Sequence, residues 1–346
     1  MGDRNLPSLP TSTAGSYARP SWLVAGLEAA GRGEFGPVDL REMLDDAVDL
    51  ALHDQAEAGI DLVTDGEMRR AGFFTAEFYR HLTGLRALEP ERRLGAIGHD
   101  QQHRFEVLEP ISAPNGLGVV DEFAYAKTRT QRPLKVTIPG PFTLSGRLKT
   151  GAVYPERIAA AWAFVPIINA EVRALEAAGA RWIQVDEPSP AIHPEAPVDF
   201  AELFNAAIAG IGPDVRVAAH LCFGNYMGRP LARRTYRPVL DQVLRFTVAE
   251  LVLEEANREM TELDVLAEIS AAGRDLAIGV VDVKSSYVET PADVAERVDL
   301  LLGAGVSIER LALVPDCGFS QTPREIARGK LHALVAGRDL ILGRRA

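Results

Sequence analysis

At 346 residues, 47% of them hydrophobic, the chain can bury one large α/β core or two smaller ones. Acidic side chains outnumber basic ones 48 to 37, a net charge of −11 that argues against a nucleic-acid partner or an anionic membrane surface. The N-terminus MGDRNLPSLP lacks a hydrophobic h-region, and no uninterrupted apolar run reaches the ~18 residues of a membrane span, so a soluble cytoplasmic protein is expected.

The opening LPTSTAGSYARPSWL is small and polar, with a short first strand expected over 11–14 and Gly15-Ser16 as its exit. Leu40, Met43, Leu44, Ala47, Val48, Ala51 and Leu52 fall at helical spacing and predict a helix over 39–59. A strand over 60–64 then delivers Asp65, Gly66 and Glu67, and an aromatic-rich helix is expected over 73–82. Residues 84–131 are polar with few clear periods and end in the strand-like EFAYAKT; they read as an insertion, a β-hairpin or a lid. His99 and His103 in it stand at i,i+4 spacing but read as solvated, because no cysteine or zincin-type glutamate accompanies them.

From Pro133 strands and helices alternate regularly. LKVTI exits into Pro139-Gly140-Pro141, WIQV into Asp186-Glu187, VRVAA into His220 and Cys222, ELVL into Glu254-Glu255, LAIGVV into Asp282 and Lys284, and LALV into Asp316-Cys317. Helices are expected between them over 155–179, 199–211, 236–246, 260–272 and 291–303, with a last one over 323–336. Eight strand–helix units in this length predict a single-domain (β/α)₈ TIM-type barrel spanning 1–346, with the insertion after the second strand. No GxGxxG follows the first strand, which counts against a dinucleotide fold.

In such a barrel the chemistry sits where the strands end. His220 and Cys222 are two apart and share a face if the strand continues through them. Cys317, the second of the two cysteines, follows another strand. A free cysteine is ordinarily a small buried hydrophobe, and a Cys222–Cys317 disulfide is allowed by count, though two cysteines are few for an oxidising compartment. Two thiolates and an imidazole on one rim are the ligands zinc prefers. Glu254, directly after its strand, is the expected fourth ligand; Glu255 should face the other way. Two thiolates and one carboxylate around Zn²⁺ leave a unit of charge −1, a poor Lewis acid for water but suited to keeping a substrate thiol nucleophilic. Any acid after a strand can instead cap a helix, and Asp282 reads more naturally that way.

The motifs STAGS, DGE at 65–67, PGP at 139–141, QVDEP at 184–188, HLC at 220–222, LVLEEANRE at 251–259, GVVDV at 279–283 and PDCG at 315–318 occur together and in order. With them the chain resembles the C-terminal catalytic barrel of cobalamin-independent methionine synthase, in a short, core-only form. The resemblance implies zinc held by His220, Cys222, Glu254 and Cys317, and homocysteine held by Ser16, Glu67 and Asp186, the two acids on its ammonium. It implies methyl transfer to the homocysteine thiol, from methyl-tetrahydrofolate or a methyl-corrinoid protein. The chain departs from the long enzymes in lacking a tryptophan after PGP and a recognisable folate segment within 84–131. Where they carry a catalytic histidine two residues past the Asp282 position it has Lys284, either a proton donor or a solvated lysine. Other expectations are an epoxyalkane:coenzyme M transferase, whose anionic sulfonate would want basic residues in place of Glu67 and Asp186, and a non-catalytic zinc-binding barrel. A metal-free decarboxylase on the related uroporphyrinogen decarboxylase barrel would leave both cysteines without a purpose.

Overall fold

The computed structural model describes residues 6–70, 76–89, 104–225 and 229–345. Six strands pair side by side, all parallel: Lys135–Pro139, Trp182–Asp186, Arg216–Leu221, Glu250–Leu253, Asp275–Val281 and Leu311–Pro315. Three single parallel bridges close the ring, Thr11 to Leu313, Ser12 to Leu62 and Val63 to Leu134. The two segments so joined are the expected first and second strands, and the closed barrel is the one the alternation predicts.

Alternate residues of each strand face the barrel axis. Ala218, Val252, Ala277, Ala312 and Val314 form a small apolar layer there, separate from the main core between strands and helices. Two residues earlier on their strands lie Arg216, Glu250 and Asp275; the guanidinium bridges the two acids at 3.2 and 2.7 Å. Beyond the apolar layer, where the strands end, the polar residues gather. The axis is thus charged at the bottom, dry in the middle and reactive at the top.

Helix Pro37–Ala58 ends on Gly59 with φ +89°, the left-handed turn glycine allows. The expected 73–82 helix is described only from 76 on, as the 3₁₀ turn Ala76–His81. The insertion contains an antiparallel hairpin of Thr83–Ala87 with Phe105–Ser112. His99 and His103 lie outside the described residues. EFAYAKT is not a strand: it belongs to helix Val119–Arg129. Val119, Phe123 and Ala126, at i, i+4 and i+7, are its buried face, and the Phe–Tyr alternation within 122–128 imitated a strand. Buried Glu171 starts this helix by accepting the N–H groups of Leu117, Val119 and Val120 at 2.7, 2.8 and 3.2 Å. It packs on Pro37–Ala58 and on Arg157–Ala177, as a barrel helix does.

Arg157–Ala177 is, among the described residues, the one helix long and apolar enough to cross a bilayer. Only Asn169, Glu171, Arg173 and Glu176 break its apolar run beyond the first residue, and it buries Ala160, Ala161, Phe164, Val165, Ile168, Val172 and Leu175 against the barrel.

Candidate metal centre

His220 and Cys222 stand at the end of strand Arg216–Leu221, and Cys317 two residues past Leu311–Pro315. Their ligand atoms all lie within 4.8 Å of one another. Both cysteines are free, with sulfurs 3.9 Å apart, which removes the disulfide reading. Two Zn–S bonds of about 2.3 Å at a tetrahedral angle would set sulfurs about 3.8 Å apart. His220 Nδ1 lies 2.8 Å from Asp186 Oδ1, and Gln184 Nε2 donates to that same oxygen at 2.7 Å. Gln184 is fixed in turn by the Ala14 carbonyl at 2.7 Å. With Nδ1–H donated to a carboxylate, Nε2 keeps its lone pair, and this buried atom has no hydrogen-bond partner among the described residues. A carboxylate behind a histidine whose other nitrogen is left open is how proteins orient a metal ligand. The residues therefore fit a zinc ion. Burial pulls the His220 pKa down, but the Asp186 hydrogen bond and charge overcome it and hold it above the ordinary value. Cys317 is drawn down to about 7, first by the hydrogen bond from Cys222, then, against burial, by His220 and Lys284. Cys222, the donor of that bond, is pushed well up.

Glu254 directly follows strand Glu250–Leu253 and is fully buried, but it does not join the group of three. Its Oε1 lies 2.8 Å from Lys284 Nζ and its Oε2 accepts the Phe223 N–H at 3.2 Å. The Lys284 side chain is 1% exposed, so the solvated-lysine reading is wrong; it is sealed against a carboxylate. Asp282 accepts the Lys284 N–H at 2.8 Å and the Asn257 side-chain amide at 3.3 Å, a turn-making role. Glu289 accepts the Asp282 N–H at 2.8 Å and pairs with buried Lys330 at 2.7 Å, which pins this loop to the last helix. Asp316 accepts three backbone N–H groups, from Glu255, Ala256 and Asn257 at 2.9, 2.8 and 2.6 Å, and so ties the Glu254 loop to the Cys317 loop. Glu255 turns aside to Arg258 at 2.6 Å, and burial raises its carboxyl to about 9 although Arg258 opposes.

Ser16 lies against the Cys317 loop: its carbonyl accepts the Phe319 N–H at 2.8 Å, and a β-carbon at Gly318 would overlap its Oγ. Glu67 is buried in a left-handed conformation, φ +56°, unusual for a residue with a side chain and typical of functional sites. Its Oε1 takes the Thr137 hydroxyl at 2.6 Å and Arg70 at 3.1 Å. Burial raises its pKa, Arg70 lowers it, and the Asp186 charge raises it further. The two acids assigned to an ammonium thus sense each other, yet each already has a partner, Arg70 and His220. Sequence reasoning missed Gln184, Thr137, Arg70 and the buried Lys135. Strand parity carries a signal for three of them: Gln184 shares a face with Asp186, and Lys135 with Thr137.

Residues 9–338 match the family model of the cobalamin-independent synthase catalytic domain. A methionine synthase of Sulfurisphaera tokodaii is 34% identical over 97% of this chain and 93% of its own length. One of Thermococcus kodakarensis is 32% identical over 97% and 94%. A solved B12-independent methionine synthase from Shewanella sp. W3-18-1, in complex with selenomethionine, superposes with a TM-score of 0.82 at 28% identity, covering 98% of this chain and 99% of that one. Similarity that runs the length of the barrel and through every strand exit described above makes this chain a member of the cobalamin-independent methionine synthase family.

Proposed function

We propose that the chain transfers a methyl group to the thiol of homocysteine, giving methionine, at a zinc centre that includes His220, Cys222 and Cys317. The observation that carries this reading is the convergence of one imidazole and two sulfurs within 4.8 Å, with His220 Nε2 left open and Nδ1 held by Asp186. Zinc, when bound, lowers the pKa of a thiol and keeps it nucleophilic near neutral pH. Asp186 keeps His220 in the tautomer that can serve as a ligand. Ser16 lies against the Cys317 loop, and Glu67 with Asp186 supplies negative charge for an ammonium group, so the substrate's amino-acid end is oriented while its sulfur points at the centre. The substrate thiol gives up its proton, which passes to solvent or to the departing donor; sulfur forms a bond to the methyl carbon, and the donor leaves with the electron pair of its old bond.

Methyl-tetrahydrofolate and a methyl-corrinoid protein both fit this chemistry, and an assay separates them. Purified protein should carry about one zinc per chain and form methionine from homocysteine with one of the two donors. Cys317→Ala and His220→Ala should each retain less than about a tenth of the metal. Full zinc in Cys317→Ala, or no methionine from either donor, would overturn the reading.

A further inference from the structure

We infer a positioning role for Arg70 and Glu122, one that rests on the functional reading above: Arg70, shared with Glu122, fixes one oxygen of Glu67 and leaves the other, with its negative charge, to the substrate ammonium. The Arg70 side chain is 2% exposed, and each nitrogen of its guanidinium has a partner. Nε donates to Glu122 Oε2 at 3.0 Å, and Nη2 lies 2.9 Å from the same oxygen. Nη2 also donates to the Thr137 carbonyl at 2.7 Å. Nη1 meets Glu67 Oε1 at 3.1 Å and the Thr137 hydroxyl at 3.3 Å. A fork held from helix Val119–Arg129 and from strand Lys135–Pro139 at once cannot turn further toward Glu67 without giving up one of them.

Glu67 is left with two unlike oxygens. Oε1 takes Arg70 and, at 2.6 Å, the Thr137 hydroxyl; Oε2 accepts no hydrogen bond among the described residues. Charge decides whether that second oxygen can hold an ammonium. A buried acid matched one-to-one with an arginine is neutralised and gains little from another cation. Here one guanidinium serves two carboxylates, with two nitrogens on Glu122 and one on Glu67. Arg19, the other arginine near Glu67, donates to the Arg70 carbonyl and stands near Glu77 as well. The acids outnumber the cations, and the substrate ammonium completes the set. This is how an acid that already holds a partner can still select an amino-acid thiol over one without an amino group.

The test compares the binding of two thiols to the zinc-loaded full chain by calorimetry. One is homocysteine; the other is 4-sulfanylbutanoate, with the same sulfur and carboxylate but no amino group. The sulfur contribution is common to both, so the ratio of their affinities reports the ammonium alone. The measurement is made at pH 8, above the value of about 7 to which burial raises the Glu122 carboxyl against the pull of Arg70. Wild type should prefer homocysteine. In Glu122→Gln the guanidinium belongs to Glu67 alone, and the preference should fall about tenfold or more, through homocysteine only. Glu122→Asp, which keeps the charge, should recover most of it, and both variants should keep the wild-type zinc content. A wild type without the preference, an unchanged preference in Glu122→Gln, or equal losses for the two thiols would each overturn the role of the pair. A zinc-loaded wild type that binds neither thiol would instead bring down the functional reading with it. Should Glu122→Gln fail to fold, Arg70→Lys decides: an ammonium cannot fork between the two acids, so the preference should fall there too, and an unchanged one would overturn the role.

Discussion

Asp186 shows how one atom can change a residue's assignment. By position it is an acid at a strand end, free to hold a substrate ammonium; in the fold its Oδ1 holds His220 at 2.8 Å. Asp186→Asn keeps the shape but weakens the hydrogen bond that makes His220 a good ligand. Metal affinity should fall about 10–100-fold, measured by chelator competition. A raised KM for homocysteine with unchanged metal affinity would return Asp186 to the substrate alone. The buried Lys135 offers a second test. Burial lowers its pKa from 10.5 to about 8, against the pull of Glu250 and Asp186. Between those two values the unfolded chain holds more protons than the folded one, so the contribution of Lys135 to stability climbs as pH rises. From pH 8 to 10.5, wild-type stability should gain on that of Lys135→Met by up to about 3 kcal/mol in urea titrations. Parallel pH profiles for the two proteins would show that this ammonium is not desolvated. The imidazole and the thiols were legible as a set because soft ligands are rare and fell at strand ends. The partner of Lys284 was not, because a lysine's reach across to the neighbouring strand leaves no mark in its own segment.

Elements were read best where burial decides their form. The six long strands are buried on both sides, so each appears as an apolar run closed by polar residues. Boundaries failed where backbone geometry, not composition, rules. The helix expected from Met260 begins at Leu263, because Glu259, Met260 and Glu262 all take positive φ. The one expected over 236–246 breaks into a 3₁₀ turn Arg237–Val239 and a helix Leu240–Leu244, with Pro238 in the turn. The last helix runs on to Arg345, well past 336, since Leu334 and Ile341 continue its buried face. The loop after Glu254 depends on Asp316 more than on any local propensity. Asp316→Ala would leave three backbone N–H groups without their acceptor, at about 1–3 kcal/mol each where water cannot reach. A loss of roughly 3 kcal/mol or more is expected in denaturant melts, with amide exchange accelerated at 255–257 ahead of the barrel strands. Uniform exchange across the barrel would show that this loop is held by something else.

At the scale of the whole barrel the weak point is the seam. The first strand touches its neighbours through single bridges, where the six-stranded sheet has continuous ladders. Side chains of helix Pro37–Ala58 and of the last helix, with those of neighbouring loops, compensate. Asp54, 1% exposed, takes both Arg324 nitrogens at 2.7 Å and the Tyr17 hydroxyl at 3.1 Å. Arg338 reaches Asp61 at 2.7 Å, and the same Asp61 oxygen accepts the Thr11 N–H at 2.8 Å. Tyr17 follows Ser16 in the chain and meets Phe319 edge-on, so the clamp that shuts the ring also sets the walls beside Cys317. Closing the barrel and building the site are therefore one act. Asp54→Ala should cost about 1–3 kcal/mol of stability, because it strands the buried Tyr17 hydroxyl while leaving Arg324 and Arg328, both partly exposed, to water. Arg324→Ala should cost less, because Asp54 keeps Arg328 at 3.6 Å and the Tyr17 hydroxyl at 3.1 Å, and the two losses should fall short of adding in the double variant. Metal affinity should drop in Asp54→Ala through the shifted Cys317 loop while the His220–Asp186 contact persists. Additive losses with unaltered metal binding would mean the seam and the site are independent.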